Sequence, residues 1–105
     1  MNFKLKTEDN LFMSYEFETI FGLIRIDNDD IIIHSIHNTD KGNGAFKRFM
    51  DYVESSKKNI ILVDIHFGRL WHHFRHARGY NLHPEFVIKN RVKFETCLIK
   101  KAKND

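Results

Sequence analysis

A short glycine turn separates a strand pattern from a helix pattern near the middle of this chain, and no other segment limits the fold as strongly. The turn is Gly42-Asn43-Gly44, and the apolar run that begins at Ile31 and reaches Ile36 or His37 predicts the strand before it. The helix after the turn is predicted by hydrophobic residues at i, i+3, i+4 and i+7, which are Phe46, Phe49, Met50 and Val53. A strand that enters a helix through glycines is typical of an α/β fold.

The same order of elements then repeats. Residues 60–65 are almost entirely apolar, which predicts a central strand that is covered on both faces and runs parallel to the first. A second helical stripe follows, and Gly79 provides the left-handed residue that ends this helix near Arg78. The stripe consists of Leu70, Trp71, Phe74 and Ala77. Residues 30–80 therefore predict a core unit of strand, turn, helix, strand and helix.

The flanking segments predict further strands. Apolar and polar residues alternate in residues 3–5 and 11–17, and a third strand is expected over residues 20–26, so the chain begins as an antiparallel meander. Closing strands are expected over residues 86–88 and 92–96, before a frayed tail at residues 100–105. The prediction is one α/β (α+β) domain over residues 1–105, with a mixed, mostly antiparallel sheet of six or seven strands, a central parallel pair and two main helices.

Composition narrows the classes of protein that fit. Fourteen aromatic residues in a chain of 105 favour a compact core, and the single Cys97 excludes an intramolecular disulfide, which indicates a reducing, cytoplasmic environment. No apolar run reaches the roughly 18 residues of a membrane span, so we expect no membrane insertion. The formal charge of +3 and the pI of about 9.1 make this a small basic domain. This positive charge indicates a negatively charged partner, either a phosphate-bearing cofactor or nucleic acid. In the alternative, it is simply a basic face exposed to solvent.

The glycine turn itself has two interpretations. Glycines let backbone N–H groups approach an anion, and the amino end of a helix adds about half a positive charge, so a pyrophosphate fits there. In the alternative, the turn is only structural, and Asn43 and the two glycines supply positive φ angles.

Residues 30–80 resemble the GNAT superfamily of acyl-CoA N-acyltransferases, and the flanking strands agree loosely. Gly42 and Gly44 match the small positions of the family's Q/R-x-x-G-x-G/A turn. The segment from Phe74 to Gly79-Tyr80 is similar to the family's Tyr-x-x-x-x-Gly-Phe helix ending. The chain departs from the pattern at Thr39, where the family has Arg or Gln, and at Phe74, where it often has a general-acid tyrosine.

The resemblance implies an acetyltransferase, a transferase that moves an acetyl group from acetyl-CoA, or another acyl group from its acyl-CoA, to an amine. The backbone amides of residues 42–46 would bind the CoA pyrophosphate, with added charge from Lys41, Lys47 and Arg48. The pantetheine arm would lie between the parallel strands, near residues 34–36 and 64–66, where a backbone amide polarises the thioester carbonyl. The implied cofactor-binding residues are His34, Ser35, Ile36, Lys41, Gly42, Asn43, Gly44, Ala45, Phe46 and Lys47.

Catalysis needs a base for the amine and an acid for the thiolate, and Phe74 provides neither. The candidates are His66, His73 and Asp64, because imidazole titrates near neutral pH and a carboxylate in an apolar strand can have a raised pKa. The family's two early helices are missing, since only residues 7–10 separate the first two strands. The acceptor is then an amine-bearing small molecule or a protein, and a homodimer is one way to complete an open acceptor side.

The competing hypothesis is a non-catalytic binding module for nucleic acid or a protein partner, including a CoA sensor or an inhibitor. Arg69, Arg75 and Arg78 would contact a polyanion. His72 and His76 have the i, i+4 spacing of helical metal ligands but no HExxH motif, so no metal site is predicted. Cys97 lacks any surrounding motif and is interpreted as a packed thiol.

Overall fold

The computed structural model describes residues 4–8, 12–63, 69–83 and 97–102, the first of these segments by its backbone alone. The strands are β1 (Lys4–Glu8), β2 (Met13–Phe17), β3 (Ile20–Ile26), β4 (Asp30–Ile33), β5 (His37–Asn38), β6 (Asn59–Leu62), β7 (Asn81–Leu82) and β8 (Leu98–Lys100). The helices are α1 (Ala45–Glu54) and α2 (Arg69–His72), and α2 continues as a π-helical turn, His73–Ala77. Two of the strands have only two residues each.

These strands form one twisted sheet in the order β1-β2-β3-β4-β6-β8-β7, and β5 pairs with β3 beyond the end of β4. β4 and β6 run parallel, with Ile31 opposite Ile60 and Ile33 opposite Leu62. The other described pairings are antiparallel. The predicted fold class, a mixed and mostly antiparallel sheet with a central parallel pair and two helices, is confirmed.

Helix α1 covers one face of the sheet through an apolar stripe. Four of its side chains are buried: Ala45, Phe49, Met50 and Val53. Phe49 stacks on Tyr15 of β2 with ring centroids 5.3 Å apart, so the helix and the antiparallel half of the sheet share a core. Phe46, expected within the stripe, is half-buried at its edge, where its ring lies 5.8 Å from that of Phe74.

Strand β6 and the residue after it are buried on both sides of the sheet, as the unbroken apolar run predicted. Ile60 and Leu62 belong to the cluster beneath the helices. Ile61 and Val63 belong to a second cluster on the opposite face, with Ile32 and Cys97. A parallel pair in the middle of a sheet needs apolar residues on both faces, and this sequence provides them.

The second helix only partly follows its predicted stripe. Phe74 is fully buried, but Leu70 is 38% exposed and Ala77 is exposed, so the prediction was wrong for these two residues. The change to π geometry at His73, whose carbonyl accepts from Arg78 N–H, rotates the later side chains away from an α-helical register. The φ of Gly79 is +76°, which confirms the expected helix end. No helix within the described ranges combines the length and apolar character that crossing a bilayer requires.

The end of the chain is ordered further than its composition indicated. Lys100 belongs to β8, and the backbone N–H of Ala102 donates to Asn59 Oδ1, so placing the start of the frayed tail at Lys100 was wrong. Cys97 precedes β8 and is fully buried, which confirms the packed thiol. The predicted strands at residues 86–88 and 92–96 lie outside the described residues.

Candidate functional site

The turn before α1 is shaped by its two glycines. Gly42 has a φ of +89° and Gly44 a φ of +83°, which is the left-handed region that favours glycine. Asn43 does not share this conformation; its Oδ1 accepts from the N–H of Ala45 at 2.9 Å and so satisfies one amide of the first helical turn. The expectation of positive φ was therefore right for the glycines and wrong for Asn43.

A small hydrogen-bond network ties this turn to the β2–β3 hairpin. Asn43 Nδ2 donates to Thr19 Oγ1 at 3.0 Å, and Thr19 Oγ1 donates to Asn38 Oδ1 at 2.7 Å. Asn38 Oδ1 also accepts from the N–H of Asp40 at 3.1 Å. Asn43 and Thr19, which are 24 positions apart, thereby fix the path of the chain into α1.

Two of the cations expected to serve the ligand are paired with carboxylates. The Arg48 guanidinium contacts both carboxylate oxygens of Glu18, and this hydrogen bond holds the pKa of Glu18 below its usual value. Lys47 Nζ lies 2.7 Å from Asp51 Oδ2. Lys41 is exposed and has no ion-pair partner in the described part of the chain. Within the described residues, Lys41 is therefore the one of these three cations that has no carboxylate partner.

Beyond β4, a bulge interrupts the pairing of the chain with β3. The N–H groups of His34 and Ser35 both point to Leu23 O, at 2.9 and 3.5 Å, so two residues oppose one. Gly22 permits this crossing, because a Cβ there would lie 2.0 Å from Ser35 O. Among the residues that the structure describes, the last hydrogen bond between the parallel strands is donated by Val63 N–H to Ile33 O.

The backbone N–H of Ile36 points to the side of its strand on which β6 lies beside β4. Phe21 pairs with His37, and Thr39 N–H donates to Thr19 O at 3.0 Å. Because alternate residues of an antiparallel ladder point to the partner strand, Ile36 N–H points away from β3. No described residue accepts a hydrogen bond from it. The predicted site residues 34–36 thus lie just beyond the carboxyl end of β4.

A cleft of about 760 Å³ opens beyond the carboxyl end of β4, between the turn, the start of α1 and helix α2. Its floor is largely apolar and its rim is basic. The cleft is lined by Ile36, His37, Asn38, Lys41, Gly42, Phe46, Arg69, Leu70 and His73. Four of the predicted residues therefore line one cavity, namely Ile36, Lys41, Gly42 and Phe46, and the candidate catalytic residue His73 joins them.

Of the three candidate acids and bases, only His73 lies in the described part of the chain. His73 lies in the cleft wall, whereas Asp64 and His66 lie outside the described residues. Neither nearby phenol replaces the hydroxyl that Phe74 lacks. Tyr15 donates to Ser35 O at 2.7 Å and Tyr80 donates to Glu54 Oε2 at 3.0 Å, and burial raises the pKa of both.

Sequence reasoning missed several residues that build the site. It assigned no role to Thr19 and Asn38, whose side chains brace the turn, and it counted Arg78 among surface cations although its side chain is 11% exposed. Leu70 was expected in the core but lines the cleft. The one signal in the sequence was the polar pair Asn38-Thr39, which interrupts the apolar pattern just before the glycines.

Two further groups considered from the sequence are the Cys97 thiol and the histidine pair His72 and His76. Burial raises the pKa of the Cys97 thiol to about 11. The rings of His72 and His76 stack with centroids 5.7 Å apart, but in the described ranges no group of three or more His, Cys, Asp or Glu side chains is placed to hold a metal ion.

Comparison with protein-family profiles, with curated proteins and with solved structures gives no match.

Proposed function

We propose that the cleft binds an acyl-CoA and that the chain is a GNAT-type N-acetyltransferase. The observation that carries the proposal is the position of the cleft. It lies beyond the carboxyl end of the parallel strand β4 and is bordered by the glycine turn, by the first helical turn of α1 and by the basic residues Lys41 and Arg69. A phosphate-bearing ligand with an extended apolar arm matches this combination of basic rim and largely apolar floor.

The diphosphate of the cofactor belongs at the turn. Asn43 satisfies the amide of Ala45, so the amides on either side of it, from Gly42 to Phe46, are the donors for a ligand. The helix dipole adds favourable potential at the same point, and the Lys41 ammonium is close in sequence and exposed. The Arg48–Glu18 pair contributes by holding the turn, because Arg48 Nη2 also donates to Asn43 O at 3.1 Å.

The acyl end of the cofactor belongs beside Ile36. After the bulge, the Ile36 N–H is directed away from β3, and there it would donate to the thioester carbonyl. In the reaction the acceptor nitrogen attacks that carbonyl carbon, the C–S bond breaks, the amine loses a proton and the CoA thiolate gains one. The products are an amide and free CoA.

Of the candidate catalytic residues, His73 is the one that lies in the described part of the chain and lines the cleft, while Asp64 and His66 remain predictions. A second candidate function is cofactor binding without turnover, as a sensor or an inhibitor of another protein. It is favoured by Phe74, which is fully buried and has no proton to give to the leaving thiolate. The polyanion-binding module is less favoured, because Arg75 donates to Tyr80 O and Arg78 pairs with carboxylates of α1.

Isothermal titration with acetyl-CoA tests the proposal, with a short oligonucleotide at two salt concentrations as the comparison. Saturable binding of acetyl-CoA at micromolar affinity is expected, and release of free thiol in the presence of an amine would separate the enzyme from the sensor. Absence of acetyl-CoA binding together with steeply salt-dependent oligonucleotide binding would replace the proposal by the polyanion module.

A further inference from the structure

Arg78 is held in one orientation by the carboxylates of α1. Its Nη1 lies 3.2 Å from Asp51 Oδ1 and 3.1 Å from Glu54 Oε1, and its Nη2 donates to Lys47 O at 3.5 Å. Glu54 is itself fixed by Tyr80 and by Lys100 Nζ, which lies 3.2 Å from Glu54 Oε1. With 11% of its side chain exposed, Arg78 connects the π-helical turn to α1.

The Nε–H group of Arg78 determines which nitrogen of the neighbouring His73 ring carries the hydrogen. Arg78 Nε donates to His73 Nε2 at 3.2 Å. A guanidinium has only donors and keeps its proton, so His73 Nε2 must be the acceptor and carries no hydrogen. A neutral imidazole has one N–H, and in His73 that hydrogen is therefore on Nδ1.

The Nδ1 atom of His73 has no hydrogen-bond partner among the described residues. It is not fully buried, because it is not among the buried polar atoms that lack a partner, which in the described residues are Nε of Arg25 and Nε of Arg75. The ring borders both the 760 Å³ cleft and the smaller groove that Arg78 lines. Its edge packs against Phe46, with ring centroids 5.6 Å apart.

We infer that Arg78 is a positioning residue that fixes His73 as the Nδ1–H tautomer, so that His73 offers the ligand cleft a neutral hydrogen-bond donor. The partner it suits is a carbonyl oxygen of the bound molecule. In the proposed function this is a carbonyl of the pantetheine arm or of the acyl group, and for that identity the inference rests on acyl-CoA binding. His73 is then a donor in the cleft, because Arg78 occupies the nitrogen that a base would use.

The tautomer is measured directly by NMR. Protein labelled with ¹⁵N in histidine is recorded by long-range ¹H–¹⁵N correlation at about pH 8.5, where ordinary imidazoles are neutral, and His73→Asn assigns the signals by their loss. A protonated Nδ1 and an unprotonated Nε2 are expected, and the preference should weaken in Arg78→Lys, which lacks Nε–H. The reverse pattern in the wild type overturns the inference, whether or not the Arg78 variant folds.

Ligand contact is measured with two variants of almost equal shape. Asn keeps an N–H donor close to the position of Nδ1, whereas Leu keeps the shape of Asn without any polar atom. Acetyl-CoA affinity should fall about 2- to 10-fold in His73→Leu, the loss of one neutral hydrogen bond, and should be largely retained in His73→Asn. Equal affinities in the two variants would contradict a donor role. If the wild type binds no acetyl-CoA, the proposed function fails, and the tautomer measurement still decides the inference.

Discussion

Placing a negative charge in the glycine turn should block the binding of acetyl-CoA, and the chain provides a matched control for this experiment. Gly42 and Gly79 both have positive φ, at +89° and +76°, and both would place an added Cβ in open space. Glutamate at either position therefore carries the same strain, about 1–2 kcal/mol, and the same change of charge. Only Gly42 lines the cleft.

The expected loss of affinity follows from Coulomb's law. A carboxylate roughly 6 Å from a diphosphate that carries about two negative charges, at an effective dielectric constant between about 40 and 80, is repelled by about 1.4–2.8 kcal/mol. That corresponds to a roughly 10- to 100-fold weaker Kd for Gly42→Glu. Because the repulsion is screened, the difference from the wild type should shrink as salt is raised toward about 1 M.

Isothermal titration of acetyl-CoA at two salt concentrations measures both effects. Gly79→Glu should bind like the wild type after correction for any unfolded fraction, which urea denaturation reports. Gly42→Ala adds the conformational strain without the charge and should cost much less affinity than Gly42→Glu. Equal affinities in Gly42→Glu and Gly79→Glu would refute the placement of the phosphates at this turn.

Three further predictions concern the framework around the site. Gly22→Ala should lower the free energy of unfolding by about 2–4 kcal/mol, because its Cβ would meet Ser35 O of the bulge; an unchanged urea midpoint would contradict the close approach. The Glu18–Arg48 pair lowers the folded-state pKa of Glu18, so its contribution to stability is present above the unfolded pKa and is lost as pH falls through the folded value. Urea midpoints of Glu18→Gln and wild type should therefore differ at about pH 7 and converge as the pH is lowered, and a constant difference would exclude this linkage. Cys97, with its pKa raised to about 11, should react with a thiol reagent at neutral pH only as fast as the protein unfolds; rapid labelling of the folded protein would show that the thiol is accessible.

Much of the framework was predictable because its cause is local. The period of Phe49 and Val53 specifies a helix with one buried face, and the unbroken apolar run at residues 60–63 specifies a strand that is buried on both faces. The positive φ of Gly42, Gly44 and Gly79 follows from their position at turns, where other residues meet steric strain. These features depend on neighbours in the sequence, which can be read directly.

The partners of charged side chains were not predictable in the same way. Arg48 was expected to serve the ligand, yet Glu18, 30 positions away, takes its guanidinium. Arg78 was expected on a basic surface, yet Asp51 and Glu54 of α1 pair with it and leave 11% of its side chain exposed. A charge pattern along one helix shows which side chains are cationic, but the choice of partner depends on distances that form only on folding.

The sequence by itself thus determined the class of the fold and the glycine turn, because hydrophobic period and backbone sterics act over a few residues. Only the tertiary structure decided that a bulge at His34 and Ser35 follows β4, that Leu70 faces a cleft, and that Arg78 reaches His73. Each of these depends on contacts between segments far apart in the chain, and folding alone brings such segments within hydrogen-bonding distance.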